Sequence, residues 1–270
     1  MLIRHVNGPV RYGVLGAGQM SRIALADLTQ QSDARVVGLS DPSRERANEV
    51  GTQFGLSKIH HDASELLDPE SLDAVYIATP NATHVPLARL AIERGLHVLV
   101  EKPFGISHAE VEELAQLARK KNRVLSVALG QRLRPESQRV HRLVRSGALG
   151  DVYHVKAFWL RRRGIPKLGT WFGNKNLAGG GALFDIGVHL LDLALHLLGD
   201  FEPTQVTGSI ATQFGHHGRG EGGWGHSDRS ELDFDVEDFA SAFLRFRGGC
   251  SLTLDVSWAL PQAEDDRHDV

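Results

Sequence analysis

Between residues 12 and 129, short apolar runs alternate with longer stretches whose apolar residues recur at helical spacing, and this rhythm restricts the fold more than any other feature of the chain. Tyr12-Gly13-Val14-Leu15 is a short apolar run that stops at glycine, and Ser21 to Leu28 then carries the helical period. Ala34 to Leu39 repeats the pattern, ends at Asp41-Pro42, and leads into a helical stretch from Arg44 to about Phe54. Ala74 to Ala78 and His97 to Val100 read as buried strands that bracket a helix from Thr83 to Arg94, closed by Gly95. Ser107 with Glu110 three residues on is a capping box for a helix running to Lys121, and Val124 to Leu129 supplies another strand. Parallel neighbours need crossover connections, so the pattern specifies a doubly wound parallel sheet over residues 1–130.

The rhythm changes after Gly130. A helix from Pro135 to Ser146 ends at Gly147, and Val152 to Trp159 then alternates as a half-exposed strand does. Gln205 to Ala211, Phe239 to Phe246 and Ser251 to Trp258 are further strand candidates with few helices between them. Residues 131–270 are therefore expected to form an α/β domain on a large, mainly antiparallel open sheet. Gln213 to Ser230, rich in Gly and His, is expected to be a flexible loop. A length of 270 residues suits two domains, each with its own core.

The charge balance narrows the classes of function. A net charge of -3 with scattered Lys and Arg argues against nucleic acid, and Arg161-Arg162-Arg163 reads as solvated surface. The apolar run from Val188 to Leu198 contains Asp192 and His196 and is too short to span a bilayer, while MLIRHVNGPV lacks the apolar core of a signal peptide. With a single cysteine, Cys250, these features give the expectation of a cytoplasmic protein without a membrane partner.

Chemistry concentrates at strand ends. In Gly16-Ala17-Gly18-Gln19-Met20-Ser21 the first glycine permits a tight strand-to-helix turn, and the second lets a pyrophosphate approach the N–H groups of the helix start. The third fingerprint position is Ser21 rather than Gly. Asp41, at the end of the second strand and roughly 20 residues on, is placed to accept the adenosine ribose hydroxyls and to repel a 2'-phosphate. This is the Rossmann arrangement, with NAD preferred; Arg44 and Arg46 keep NADP open, and a simple capping role for Asp41 is the competing explanation. Thr79-Pro80-Asn81 with His84, and Glu101-Lys102-Pro103, stand at the ends of the next two strands, where ligands of such sheets bind.

In the second domain, Gly179-Gly180-Gly181-Ala182 precedes a nearly all-apolar helix from Leu183. Its polar exceptions Asp185, His189, Asp192 and His196 are 4, 3 and 4 residues apart and fall on one stripe. Structural satisfaction suits Asp192 and His196 best, a catalytic role suits Asp185 and His189, and no metal is expected because no further ligand cluster accompanies them.

The glycine loop, Thr79-Pro80-Asn81 with His84, Glu101-Lys102-Pro103, Arg132 followed by Pro135, and Gly180-Gly181-Ala182-Leu183 leading to Asp185 and His189 together resemble the Gfo/Idh/MocA family of glucose-fructose oxidoreductase and inositol dehydrogenase. The resemblance runs from Tyr12 to about Trp258. It implies NAD(P)-dependent dehydrogenation of a sugar, polyol or cyclitol, with Lys102 as the catalytic lysine and Asp185 and His189 beside it. The implied cofactor contacts are Gly16, Ala17, Gly18, Gln19, Met20, Asp41, Thr79, Pro80, Asn81, His84, Glu101 and Lys102. Arg132, Arg163 and Trp171, with Lys167 nearby, are candidates for holding substrate. A homodimer or homotetramer through the second sheet is also implied. Members of the family usually continue past the strand at Ser251 to Trp258, so the last strands of the sheet are expected to be missing. An NAD-retaining glycosidase and a non-catalytic dinucleotide sensor are the alternative functions.

Overall fold

The computed structural model describes residues 8–225, 234–261 and 267–269, and the chain divides into two units between Ala128 and Leu129. In the first unit the apolar runs become strands and the periodic stretches become helices. In order they are β1 (Val10–Leu15), α1 (Gln19–Leu28), β2 (Ala34–Ser40), α2 (Arg44–Gln53), β3 (Lys58–His60), α3 (Ala63–Leu66), β4 (Ala74–Ile77), α4 (His84–Glu93), β5 (His97–Val100), α5 (His108–Lys121) and β6 (Leu125–Val127). All pairs are parallel, in the order β3-β2-β1-β4-β5-β6. The order reverses between β1 and β4, the switch point at which open α/β sheets bind ligands.

Both faces of this sheet are covered. Ile77, Val98 and Val100 pack with Ala88, Ile92 and Leu114 from α4 and α5, while Val14, Leu39 and Tyr76 pack with Leu25 and Val50 from α1 and α2. Each such fully buried aliphatic side chain stabilises the fold by about 1.5–3 kcal/mol. The Ser107 half of the capping box is present: its hydroxyl accepts the Glu110 N–H at 3.5 Å, and Asn122 ends α5 in the left-handed region at φ 54. The short β3 and α3 carry no periodic pattern long enough to read in advance.

The second unit contains α6 (Pro135–Arg145), β7 (His154–Leu160), α7 (Lys175–Ala178), α8 (Val188–Leu198), β8 (Pro203–Ala211), β9 (Phe239–Phe246), β10 (Ser251–Ser257) and β11 (Arg267–Asp269). Its five strands run in the order β11-β7-β10-β9-β8. The sheet is mainly antiparallel, as expected, and mixed only where β7 and β10 pair in parallel. The chain between them, including α8, acts as a crossover connection. Leu190, Ala194 and Ile186 bury against Leu252, Leu254, Val256 and Trp258, which explains why the helix is apolar on nearly every side.

Two local features differ from the sequence reading. The helix does not run straight from Leu183: Leu183–Gly187 is a π-helical turn, and α8 starts after it. The described part of the Gly/His-rich segment is not a free loop, since the N–H groups of Gln213, Phe214 and Gly215 donate to the buried Asp238 carboxylate at 2.7–3.0 Å. Residues 226–230 of that segment lie outside the described residues.

Candidate active site

The turn after β1 is built for close backbone approach. Gly16 has φ +101, and a Cβ there would stand 2.3 Å from the Ala78 carbonyl oxygen, so no other residue fits. Its N–H donates to Ser40 O at 2.8 Å, tying the loop to the end of β2. Gly18 caps α1 with no side-chain acceptor, no acidic residue occupies the first turn, and a Cβ at Gly18 would meet nothing within 4 Å. The first N–H groups of a helix are intrinsically unpaired and lie at its positive end. Without a side-chain cap, and flanked by exposed Gln19 and half-buried Met20, this helix start fits a dinucleotide pyrophosphate.

Asp41 braces this loop. Only 6% exposed, it accepts the Ala17 N–H on Oδ2 at 2.8 Å, and the Ser43 N–H (2.8 Å) and Arg46 Nη2 (3.3 Å) on Oδ1. The cap of α2 is Ser43, not Asp41, so the competing explanation for Asp41 covers only its bond to the Ser43 N–H. Ser21 replaces the third glycine at full burial, and its hydroxyl finds no hydrogen-bond partner.

The loops after β4 and β5 form one continuous edge with this turn, because the Ala78 N–H donates to Leu15 O and the Glu101 N–H to Ile77 O. Thr83 Oγ1 lies 2.6 Å from Thr79 Oγ1 and 2.7 Å from Pro80 O, closing the Thr79–Thr83 loop on itself around buried Asn81. His84, 1% exposed, sits between Thr79 O and Pro103 O, so it is packed beneath the loops rather than presented on them. Glu101 is also buried: Tyr76 OH donates to its Oε1 at 2.6 Å and the Lys102 N–H to its Oε2 at 3.3 Å. Burial first, and then the Glu101 carboxylate, raise the Tyr76 phenol well above its ordinary value, so it stays a donor. Lys102 itself is half-buried at the end of β5.

In the second unit the glycine run is docked on Glu237. The Gly181 N–H donates to Glu237 Oε2 at 2.8 Å and the Leu183 N–H to Oε1 at 3.0 Å, while the Ala182 N–H reaches the Glu237 carbonyl at 3.0 Å. A Cβ on Gly181 would lie 1.8 Å from that carbonyl oxygen. The π turn launched from this dock carries Asp185, whose Oδ2 accepts Nε1–H of the fully buried Trp258 at 2.9 Å. His189 follows in the first turn of α8.

At the other end of the polar stripe, Asp192 and His196 meet Arg132 and His141. Asp192 takes the Arg132 guanidinium in a two-pronged pair, with Nε at 2.6 Å from Oδ2 and Nη2 on Oδ1, and the guanidinium lies over Phe201. That fork is therefore engaged within the fold rather than open to substrate, and Asp192 raises the Arg132 pKa further. His196 stacks on His141 at 4.3 Å between ring centroids; burial first, then His141 and Arg132, lower its pKa. Trp171 stacks on Phe172 at 3.9 Å, and Lys167 pairs with Glu221 at 3.1 Å. Arg163 lines a cavity of about 520 Å³ with Arg162, Phe214, Arg219, Glu221 and Leu260. Among the described residues no group of three or more His, Cys, Asp or Glu is placed to hold a metal. Reasoning from sequence missed Tyr76, Glu237 and Trp258. Glu237-Asp238, two acids directly before an apolar strand, was the available signal.

Comparison with known proteins follows the same division. Residues 10–129 match a family described as oxidoreductase, NAD-binding Rossmann fold, and residues 137–270 match the GFO/IDH/MocA C-terminal domain. A protein of Amycolatopsis mediterranei, provisionally named the oxidoreductase subunit of a UDP-kanosamine synthase, is 35% identical over 95% of this chain and 70% of its own length. The D-glucoside 3-dehydrogenase of Escherichia coli is 31% identical over 94% of this chain and 72% of its own. The crystal structure of GenD2 from gentamicin A biosynthesis, in complex with NAD, superposes with a TM-score of 0.82 at 28% identity, covering 97% of this chain and 70% of GenD2.

Proposed function

Because the chain belongs to the Gfo/Idh/MocA family of NAD(P)-dependent oxidoreductases, we propose that it oxidises a ring secondary alcohol of a sugar or cyclitol with NAD. The observation that carries the reading is the glycine turn into α1, which has no side-chain cap and no acidic residue in its first turn, beside a loop braced by Asp41. The relatives named for glucoside and aminoglycoside chemistry support the substrate class.

Bound NAD supplies the acceptor for the hydride leaving the carbinol carbon. The protein must remove the hydroxyl proton and steady the negative charge this leaves on the oxygen until loss of the hydride turns it into a carbonyl. His189 takes the proton, a task suited to imidazole near neutrality. Asp185, held by Trp258 Nε1–H, orients that base or a neighbouring hydroxyl. The Lys102 ammonium stabilises the reacting oxygen, with the Lys102 backbone N–H anchored on the buried Glu101 carboxylate that Tyr76 also holds. NAD is preferred over NADP on charge grounds: Asp41 meets the adenosine ribose side of the loop, and Arg46 is already paired with it.

Purified protein incubated with NAD and a panel of glucosides, aldoses and cyclitols is expected to raise absorbance at the reduced-nicotinamide band. Lys102→Ala is expected to lower that rate by a factor on the order of 100 or more. Release of an aglycone without net NADH, or an undiminished rate in Lys102→Ala, overturns the assignment.

A further inference from the structure

His84 bridges the two loops that matter most in the first unit. Its Nδ1 lies 2.8 Å from the Pro103 carbonyl oxygen, one residue past Lys102, and its Nε2 lies 2.9 Å from the Thr79 carbonyl oxygen at the start of the Thr79-Pro80-Asn81 loop. Burial pulls the imidazole below its ordinary value, against the upward push of both carbonyls and Glu101, and Lys102 adds to the pull. A ring carrying one proton donates to only one of the two oxygens. The contact with Pro103 is fully buried, whereas the contact with Thr79 is partly open to water. A carbonyl left bare costs most where water cannot reach it, so the proton belongs on Nδ1.

We infer that His84 is a positioning residue whose Nδ1–H grips the Pro103 carbonyl and thereby fixes the turn that presents Lys102. At 1% exposed the ring lies beneath the loop surface and acts through the turn. For its turnover readout the inference rests on the dehydrogenase reading above.

A pair of amide substitutions separates the two sides of the ring. In His84→Asn the side-chain nitrogen replaces Nδ1, and in His84→Gln it reaches the place of Nε2. His84→Asn is expected to keep kcat within about threefold, and His84→Gln to lose about tenfold or more, the loss typical of one buried hydrogen bond. Both variants should bind NAD within about threefold of wild type by calorimetry, since the glycine loop and Asp41 are untouched. Equal kcat in the two variants, or weakened NAD binding in both, overturns the inference. Nitrogen-15 NMR of wild-type protein with labelled histidine decides it without any substrate or variant stability: a protonated Nδ1 in the His84 ring supports it, and the opposite tautomer overturns it. If wild type oxidises no sugar, the dehydrogenase reading fails while the NMR result still decides the role of His84.

Discussion

Gly181→Ala should cripple the second unit, and the size of the effect follows from the dock on Glu237. The new Cβ would stand 1.8 Å from the Glu237 carbonyl oxygen and 2.8 Å from its carbon, both backbone atoms that no rotamer change moves aside. The turn must therefore retreat by more than an ångström, breaking or stretching the Gly181 and Leu183 N–H bonds to the carboxylate and the Ala182 N–H bond to the carbonyl. Bonds to a charged acceptor are worth about 1.5–3 kcal/mol each and neutral ones about 0.5–1.5. Losing half of that sum destabilises the fold by about 3 kcal/mol, or about 6–12 °C in Tm for a unit of this size. Two controls isolate the cause. A Cβ at Gly18 meets nothing within 4 Å, and the nearest atoms to one at Gly180 belong to the Phe184 side chain rather than to backbone. Thermal unfolding by calorimetry should rank the variants Gly18→Ala, Gly180→Ala, Gly181→Ala in order of increasing loss. A Gly181→Ala protein melting with Gly18→Ala would refute the dock as the origin of the helix start.

Other consequences are as direct. Trp258→Phe removes the donor to Asp185 while leaving an aromatic ring, and kcat should fall about tenfold or more with KM for NAD nearly unchanged; an unchanged kcat would show that Asp185 needs no such support. Tyr76→Phe strips the buried Glu101 carboxylate of its Oε1 donor, with the Lys102 N–H still on Oε2, and should cost about 1.5–3 kcal/mol in urea unfolding. Ser21→Ala should do the reverse, gaining about 1 kcal/mol by deleting a buried hydroxyl without a partner and improving helix propensity. Burial lowers the pKa of both His84 and His196, so the unfolded chain binds more protons than the folded one below the ordinary histidine value of about 6.5. Stability from these rings is present above that pH and is lost as pH falls through their lowered values. Tm should accordingly drop between pH 7 and 5, and less so in His196→Asn; an identical slope would remove His196 from the account.

Most of the first unit was legible because a parallel sheet buried on both faces writes its strands as apolar runs and its helices as periodic ones. Val14, Leu39, Ile77 and Val100 are all fully buried strand residues of that kind. The glycine loop was legible for a local reason, since only Gly fits φ +101 at position 16. What escaped was long-range. Trp258 and Asp185 are 73 residues apart, and Gly181 and Glu237 are 56 apart, so nothing local in either segment announces the partnership. The π turn at Leu183–Gly187 was invisible as well, because an apolar helix and an apolar helix with one widened turn share a composition. Arg132 looked like a substrate ligand only while its partner Asp192 stood 60 residues away along the chain. Of the polar stripe, Asp192 has its structural partner in Arg132, whereas His196 stacks on His141 with its buried Nε2 left without a hydrogen-bond partner among the described residues.

The central claim is direct transfer of hydrogen from a sugar carbinol carbon to nicotinamide, and isotope tracing tests it most plainly. Wild-type protein would be incubated with NAD and fully carbon-deuterated glucose, methyl glucoside or myo-inositol, and the recovered dinucleotide examined by proton NMR. The account predicts one deuterium at C4 of the reduced nicotinamide, formed in equal amount with a keto sugar, and its loss in Lys102→Ala. Sugar consumed with no deuterium in the dinucleotide would contradict it.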